Sequence, residues 1–177
     1  MNISCSICEI SKKRKHLVVG RGDTPADVLF LGEAPGKSED VMGVPFIGPS
    51  GELLNDMIAE AANNLHISIP SFYITNVILC RPYVLDEQSD DYMANREPSP
   101  VEIFNCAPNV LTIIDAVQPK VTIFVGKVAE ANYAEELKNN VRIFHPSYLL
   151  RHGGKTSPYY MTDIRLIEQA FKMLRGD

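Results

Sequence analysis

The segment from Leu31 to Leu54, LGEAPGKSEDVMGVPFIGPSGELL, constrains the fold of this chain more than any other stretch. It follows Asp27-Val28-Leu29-Phe30, which reads as a buried strand. It leads into Leu53, Leu54, Met57, Ile58 and Ala61, spaced as one face of a helix. Between strand and helix lie Gly32, Gly36, Gly43 and Gly48, with Pro35 and Pro45. Glycine lets backbone approach a ligand closely, and proline fixes the direction of the chain. A connection this long inside a compact domain is uncommon and usually functional. At the carboxyl end of a strand in an α/β protein, it is where a ligand is held. Its glycine spacing is neither that of a P-loop nor that of a dinucleotide fingerprint. Glu33, Glu39 and Asp40 offer carboxylates for chemistry, and Phe46 offers a ring for stacking.

The rest of the chain continues the alternation. Residues 50–64 read as a helix, and 72–78 as a second strand rich in β-branched and aromatic residues. Residues 83–99 are polar, with no apolar period. Ser99, Pro100 and Glu102 spell a helix start, with Ser99 as N-cap, Pro100 at the first helical position and Glu102 closing a capping box. That helix runs to about Val117. Strands follow at 120–125 and 141–144, with helices at 128–137 and 158–174. Alternating strands and helices predict a three-layer α/β/α sandwich around a central four-stranded, mainly parallel sheet, as one domain over residues 1–177. In such a sheet the loops after residues 32, 79 and 144 share the carboxyl edge. Three sequence-distant segments therefore converge on one cleft.

The 177 residues suit one sizeable core. No apolar run reaches the length of a membrane span, and the N-terminus lacks a signal-peptide pattern, so the expected location is cytoplasmic. The net charge of −5 excludes a broadly basic nucleic-acid coat but leaves room for a local basic rim. Lys12, Lys13, Arg14 and Lys15 cluster early, although a solvated face explains them as well. Acidic charge gathers at Asp86, Glu87, Asp90 and Asp91.

Four cysteines stand at 5, 8, 80 and 106. In a reducing compartment such a set reads as metal ligands or buried thiols rather than disulfides. Four thiolates suit either a tetrahedral zinc or a [4Fe–4S] cluster. The wide split between Cys80 and Cys106 favours the cluster, with zinc the alternative.

Together these motifs resemble the family 4 uracil-DNA glycosylases, the iron–sulfur members of the uracil-DNA glycosylase superfamily. The resemblance runs through Cys5-x-x-Cys8, GEAPGKSED with PFIGPSGELL, Thr75-Asn76-Val77-Ile78-Leu79-Cys80-Arg81-Pro82, Asn95-Arg96-Glu97-Pro98 with Glu102 and Cys106, and His145-Pro146-Ser147. It spans nearly the whole chain. Two departures stand out. The stretch between Cys80 and Cys106 is lengthened by an acidic insert around Val84 to Met93, and the stretch between Gly126 and His145 is short. The basic, His-bearing loop of the branch that traps uracil-DNA covalently is missing, so hydrolysis is expected.

The resemblance implies a [4Fe–4S] cluster on Cys5, Cys8, Cys80 and Cys106, uracil-containing DNA as partner, a monomer, and replication or repair proteins as further contacts. Within that reading Phe46 stacks on the base, lined by Gly32 and Ala34. Asn76 reads the uracil edge, since a side-chain amide pairs with N3–H and O4 but mispairs with cytosine. His145 stabilises the departing uracil anion. The family 1 motif carries an aspartate where this chain has Ala34, so general-base work falls to Glu33. Gly36, Lys37 and Ser147 are assigned to phosphates through their amides, Leu149 to the wedge entering the helix, and Arg151 to a phosphate. Two alternatives stay open: a weak or inactive uracil-DNA-binding accessory protein on the same scaffold, and a zinc-stabilised nucleotide-binding module.

Overall fold

The computed structural model describes residues 3–85, 87–88 and 93–176. Their strands are β1 (Arg21–Gly22), β2 (Val28–Gly32), β3 (Phe72–Asn76), β4 (Tyr83–Leu85), β5 (Met93–Asn95), β6 (Val121–Val125) and β7 (Asn140–Ile143). Their α-helices are α1 (Lys37–Met42), α2 (Pro49–Asn64), α3 (Pro100–Val117), α4 (Lys127–Tyr133), α5 (Pro146–Arg151) and α6 (Tyr160–Met173). The main sheet runs in the order β1-β3-β2-β6-β7. The four expected strands are present and parallel, with Gly32 beside Asn76 and Val125 beside Ile143 at their carboxyl ends. The sheet nevertheless has five strands, because β1 pairs antiparallel with the outer edge of β3. Two residues, one of them glycine, carry no periodic signal.

Alternation along β2 divides the interior in two. Val28 and Phe30 face a core built with Leu54, Met57 and Ile58 of α2 and with Ile164, Ile167 and Phe171 of α6. Leu29 and Leu31 face a second core with Cys106, Val110 and Ile113 of α3 and with Ala129 and Tyr133 of α4. Strands buried on both faces read as continuous apolar runs, which is why the parallel core was visible in the sequence.

Helix α3 begins as its sequence demands. The Glu102 backbone N–H donates to Ser99 Oγ at 3.3 Å, and the Ser99 N–H donates to the Glu102 carboxylate at 2.8 Å. The same carboxylate takes two bonds from the Arg96 guanidinium, at 2.6 and 2.8 Å. The polar stretch after residue 83 is not wholly irregular, since β4 and β5 pair as an antiparallel ribbon. Arg81, buried, holds that ribbon by donating to Asn95 Oδ1 at 2.6 Å and to the Met93 carbonyl at 2.8 Å. Of the acidic insert, Asp86 and residues 89–92 lie outside the described residues. The long segment after β2 also contains structure: α1 occupies its middle and ends on Gly43 in the left-handed region, φ 73°.

Candidate active site and cysteine cluster

A cavity of about 540 Å³ opens at the carboxyl edge of the parallel strands. It lies beside β2, where the chain order reverses from β3 on one side to β6 on the other, the usual ligand position in an open α/β sheet. Glu33, Ala34, Gly36, Lys37, Phe46, Asn76, His145, Ser147 and Arg151 all line it. Nine positions chosen from separate sequence motifs are thus brought together.

The floor is set by Gly32. A Cβ there would stand 2.5 Å from Asn76 Oδ1 and 2.6 Å from the Phe46 ring, so only glycine lets amide and ring meet. Phe46 adopts a left-handed backbone, φ 51°, an arrangement that costs on the order of 1–3 kcal/mol and concentrates at functional sites. Helix α2 enforces it. Gly51, in the first turn, presses so closely on the Phe46 carbonyl that any side chain at 51 would overlap the oxygen. The Phe46 ring is buried except where it meets the cavity, and lies 5.7 Å from the His145 ring at 31°.

Asn76 ends β3 with only 1% of its surface exposed, and its Oδ1 has no hydrogen-bond partner in the protein. A buried polar atom left unpaired calls for an explanation. Here the acceptor belongs to a residue lining the cavity, where a ligand donor can satisfy it.

His145 caps α5. The Ser147 backbone N–H donates to its Nδ1 at 3.2 Å, and the Ser147 hydroxyl lies 2.8 Å from the same atom. A nitrogen that accepts from a backbone N–H carries no proton, so the ring proton sits on Nε2. Burial, and then the Arg151 charge, push the imidazole down to about 4. The ring is therefore neutral near pH 7 and offers one N–H donor. The Ser147 amide, assigned to a phosphate from sequence, is occupied in setting this tautomer. The Glu33 carboxyl is pushed up, first by burial and then by Glu97, with Lys127 opposing.

Two further assignments are corrected. Leu149, expected to be the wedge, is fully buried in the core under α5 and cannot enter a duplex. Its neighbour Leu150, on the outer face of the same turn, is 39% exposed. Asp40, taken as a carboxylate for chemistry, is buried and accepts the Lys15 backbone N–H at 3.0 Å, pinning the N-terminal segment. Asn95 and Tyr148, not among the expected site residues, also line the cavity. Asn95 stood within a quoted motif, and Tyr148 stood between two residues already singled out.

Beneath the site, Asp163 of α6 is buried and accepts the Phe144 backbone N–H at 3.0 Å, holding the residue before His145. Burial pushes its carboxyl up to about 7 from an ordinary 3.8, against the Phe144 hydrogen bond and Arg142. The fold thus favours the protonated acid. That contribution is complete below about pH 4 and is lost as pH rises through about 7. Asp163→Asn, which cannot ionise, should gain stability relative to the wild type between pH 4 and pH 8, measured as a widening gap between urea midpoints. Parallel midpoint curves would exclude Asp163 as the titrating group.

The four cysteines rim one small pocket of about 20 Å³, with Ile10, Leu17 and Ile78 as apolar neighbours. Cys80 and Cys106 are buried, and Cys5 and Cys8 are half-buried. Burial, the largest cause, pushes the Cys106 thiol up to about 12 and raises Cys80 as well. Arg14 Nη1 donates to Cys80 Sγ at 3.3 Å. The donor set is soft and all-sulfur, which suits a [4Fe–4S] cluster or a four-cysteine zinc site. Among the described residues, no three His, Cys, Asp or Glu side chains gather tightly enough to hold a single ion. The sulfurs surround a shared space instead.

A family model described as the uracil DNA glycosylase superfamily matches residues 19–166. The type-4 uracil-DNA glycosylase of Archaeoglobus fulgidus is 35% identical over 127 residues, covering 72% of this chain and 57% of that protein. Those of Sulfurisphaera tokodaii and Thermotoga maritima are both 31% identical, over 98% and 84% of this chain and 80% and 79% of theirs. The match spans only 57% and 51% of the A. fulgidus and Saccharolobus solfataricus proteins. Since a superfamily model covers most of the chain and a relative at 31% identity aligns with nearly all of it, the chain belongs to the uracil DNA glycosylase superfamily.

Proposed function

We propose that the protein hydrolyses the N-glycosidic bond of uracil in DNA and leaves an abasic site. The observation that carries this reading is the pairing, in one cavity, of an unsatisfied Asn76 acceptor with a neutral His145 whose Nε2–H is left to donate. A base buried in a duplex must first be extruded, at a cost of a few kcal/mol. Phe46 then offers a face to stack on, and the Asn76 amide accepts from N3–H and donates to O4. As the glycosidic bond lengthens, charge builds on uracil O2 and on the sugar. The His145 Nε2–H shares the negative charge, worth most in a site already cleared of water. Glu33 is assigned to the sugar side, stabilising positive charge or orienting the attacking water. Lys37 and Arg151, at the cavity, are assigned to flanking phosphates together with the Gly36 amide.

The four thiols are proposed to hold a [4Fe–4S] cluster, in line with the family resemblance and with four sulfurs around one pocket. Its contribution is structural. The cysteines tie the N-terminal segment, the turn after β3 and helix α3 to one point. Unpaired thiols also fit a reducing compartment, as expected of a cytoplasmic protein.

Purified protein should convert a uracil-containing oligonucleotide to alkali-cleavable product without added divalent metal. Tight binding with no abasic product at excess enzyme would replace hydrolysis with the accessory-protein reading. Anaerobically purified protein should be brown, with broad absorption near roughly 400 nm. Zinc without iron or sulfide on elemental analysis would replace the cluster.

A further inference from the structure

Helix α5 and its flanks carry an aromatic column that the chemistry above does not use. Phe144 and Tyr148 stack with centroids 5.1 Å apart and planes 16° apart, and Tyr148 stacks on His152 at 4.1 Å and 27°. Tyr159 buttresses the side of the column, 4.8 Å from Phe144 and 5.8 Å from Tyr148. Three near-parallel rings thus run from the edge of the core to solvent. Tyr148, the middle ring, lines the cavity, so the column passes its wall on the way to solvent. His152 is the outermost ring and is exposed. Its Nδ1–H donates to the Tyr148 carbonyl at 2.8 Å, which fixes the ring before any ligand arrives. A rigid ring loses little freedom on binding, and a base stacked on an aromatic side chain gains from any sequence, since every base has a π-face.

We propose that the Phe144–Tyr148–His152 column is a platform on which an unpaired base next to the target nucleotide stacks. It directs the protein toward single-stranded DNA. This rests on the proposed glycosylase reading for the identity of the target. The column is continuous with the cavity, and Arg151, which also lines the cavity, supplies a cation for the intervening phosphate. A base inside a duplex is already stacked on both faces and gains nothing from a third partner. An unpaired base exchanges water for a ring.

The test uses the whole protein and an uncleavable probe: an oligonucleotide carrying a tetrahydrofuran abasic analogue with 2-aminopurine on either side, single-stranded or annealed. Stacking quenches 2-aminopurine, so the readout does not depend on turnover. His152→Ala should weaken single-strand binding about fivefold or more and relieve the quenching, while duplex binding stays unchanged. His152→Phe should restore both, because the platform needs a ring and not a proton. Unchanged single-strand affinity in His152→Ala, equal loss on duplex, or failure of phenylalanine to restore binding would each overturn the proposal. Uracil release by the wild type is scored separately. A protein that releases none yet shows His152-dependent quenching loses the glycosylase reading and keeps the platform.

Discussion

Replacing His145 with alanine is expected to slow uracil release by about 10²-fold or more, the scale of losing one transition-state donor. The structure gives three reasons. The Ser147 amide fixes the proton on Nε2, burial keeps the ring neutral, and the ring stands over the same cavity as Phe46 and Asn76. Nothing in that arrangement makes His145 the main source of ground-state affinity. His145→Ala should therefore bind uracil-containing DNA nearly as well as the wild type while its single-turnover rate collapses. Lost binding with an unchanged rate at saturation would reverse the roles. The depressed pKa adds a second signature. His145 should therefore contribute no inflection near the ordinary histidine value of 6.5, and its loss should show only as pH falls toward about 4, apart from any step owed to the raised Glu33 and Asp163 carboxyls. The same shift makes His145's own contribution to folding stability fall as pH drops from 6.5 toward 4, because the unfolded chain takes up the proton first. Asp163 acts in the opposite sense over that range, so the His145 part is read as the difference between wild type and His145→Ala.

Asn76→Asp is expected to lower uracil release roughly 10- to 100-fold and to create measurable release of cytosine. The amide's donor at the O4 edge becomes an acceptor, which repels uracil O4 and suits the exocyclic amine of cytosine. The neighbourhood sharpens the effect. Gly32 lies against Asn76 Oδ1, and the residue is almost wholly buried, so the side chain has little room to turn the wrong group away from the base. Product analysis by chromatography on matched uracil and cytosine oligonucleotides reads both changes. Loss of uracil activity with no cytosine release at any pH would mean that Asn76 holds the pocket open rather than reading the base.

Much of this was legible in the sequence. Strands β2, β3 and β6 were readable because they are buried on both faces, and the start of α3 because its cap is local chemistry. The pocket residues were readable because they sit in short motifs at strand ends, which topology gathers at one edge. What could not be read depends on tertiary contact. Strand β1 exists only because the edge of β3 is available to pair with it. The inward turn of Leu149 and outward turn of Leu150 follow from how α5 lies on the core, as does the capture of the Ser147 amide by His145. Asp163 lies 18 residues beyond His145 in sequence, in a different helix, and nothing local marks it as the anchor of Phe144.

The sheet separates two kinds of work. Phe46 and Leu149, which shape the cavity wall and its supporting helix, belong to the core shared by α2 and α6, whereas Cys80 and Cys106 belong to the core shared by α3 and α4. A layer of paired backbone stands between them as a partition. Changes in packing on opposite faces share few partners, so their energetic effects should sum rather than compound. A lineage can retune the surroundings of the sulfurs without disturbing the wall behind the base, and the two halves of the molecule are free to drift at different rates.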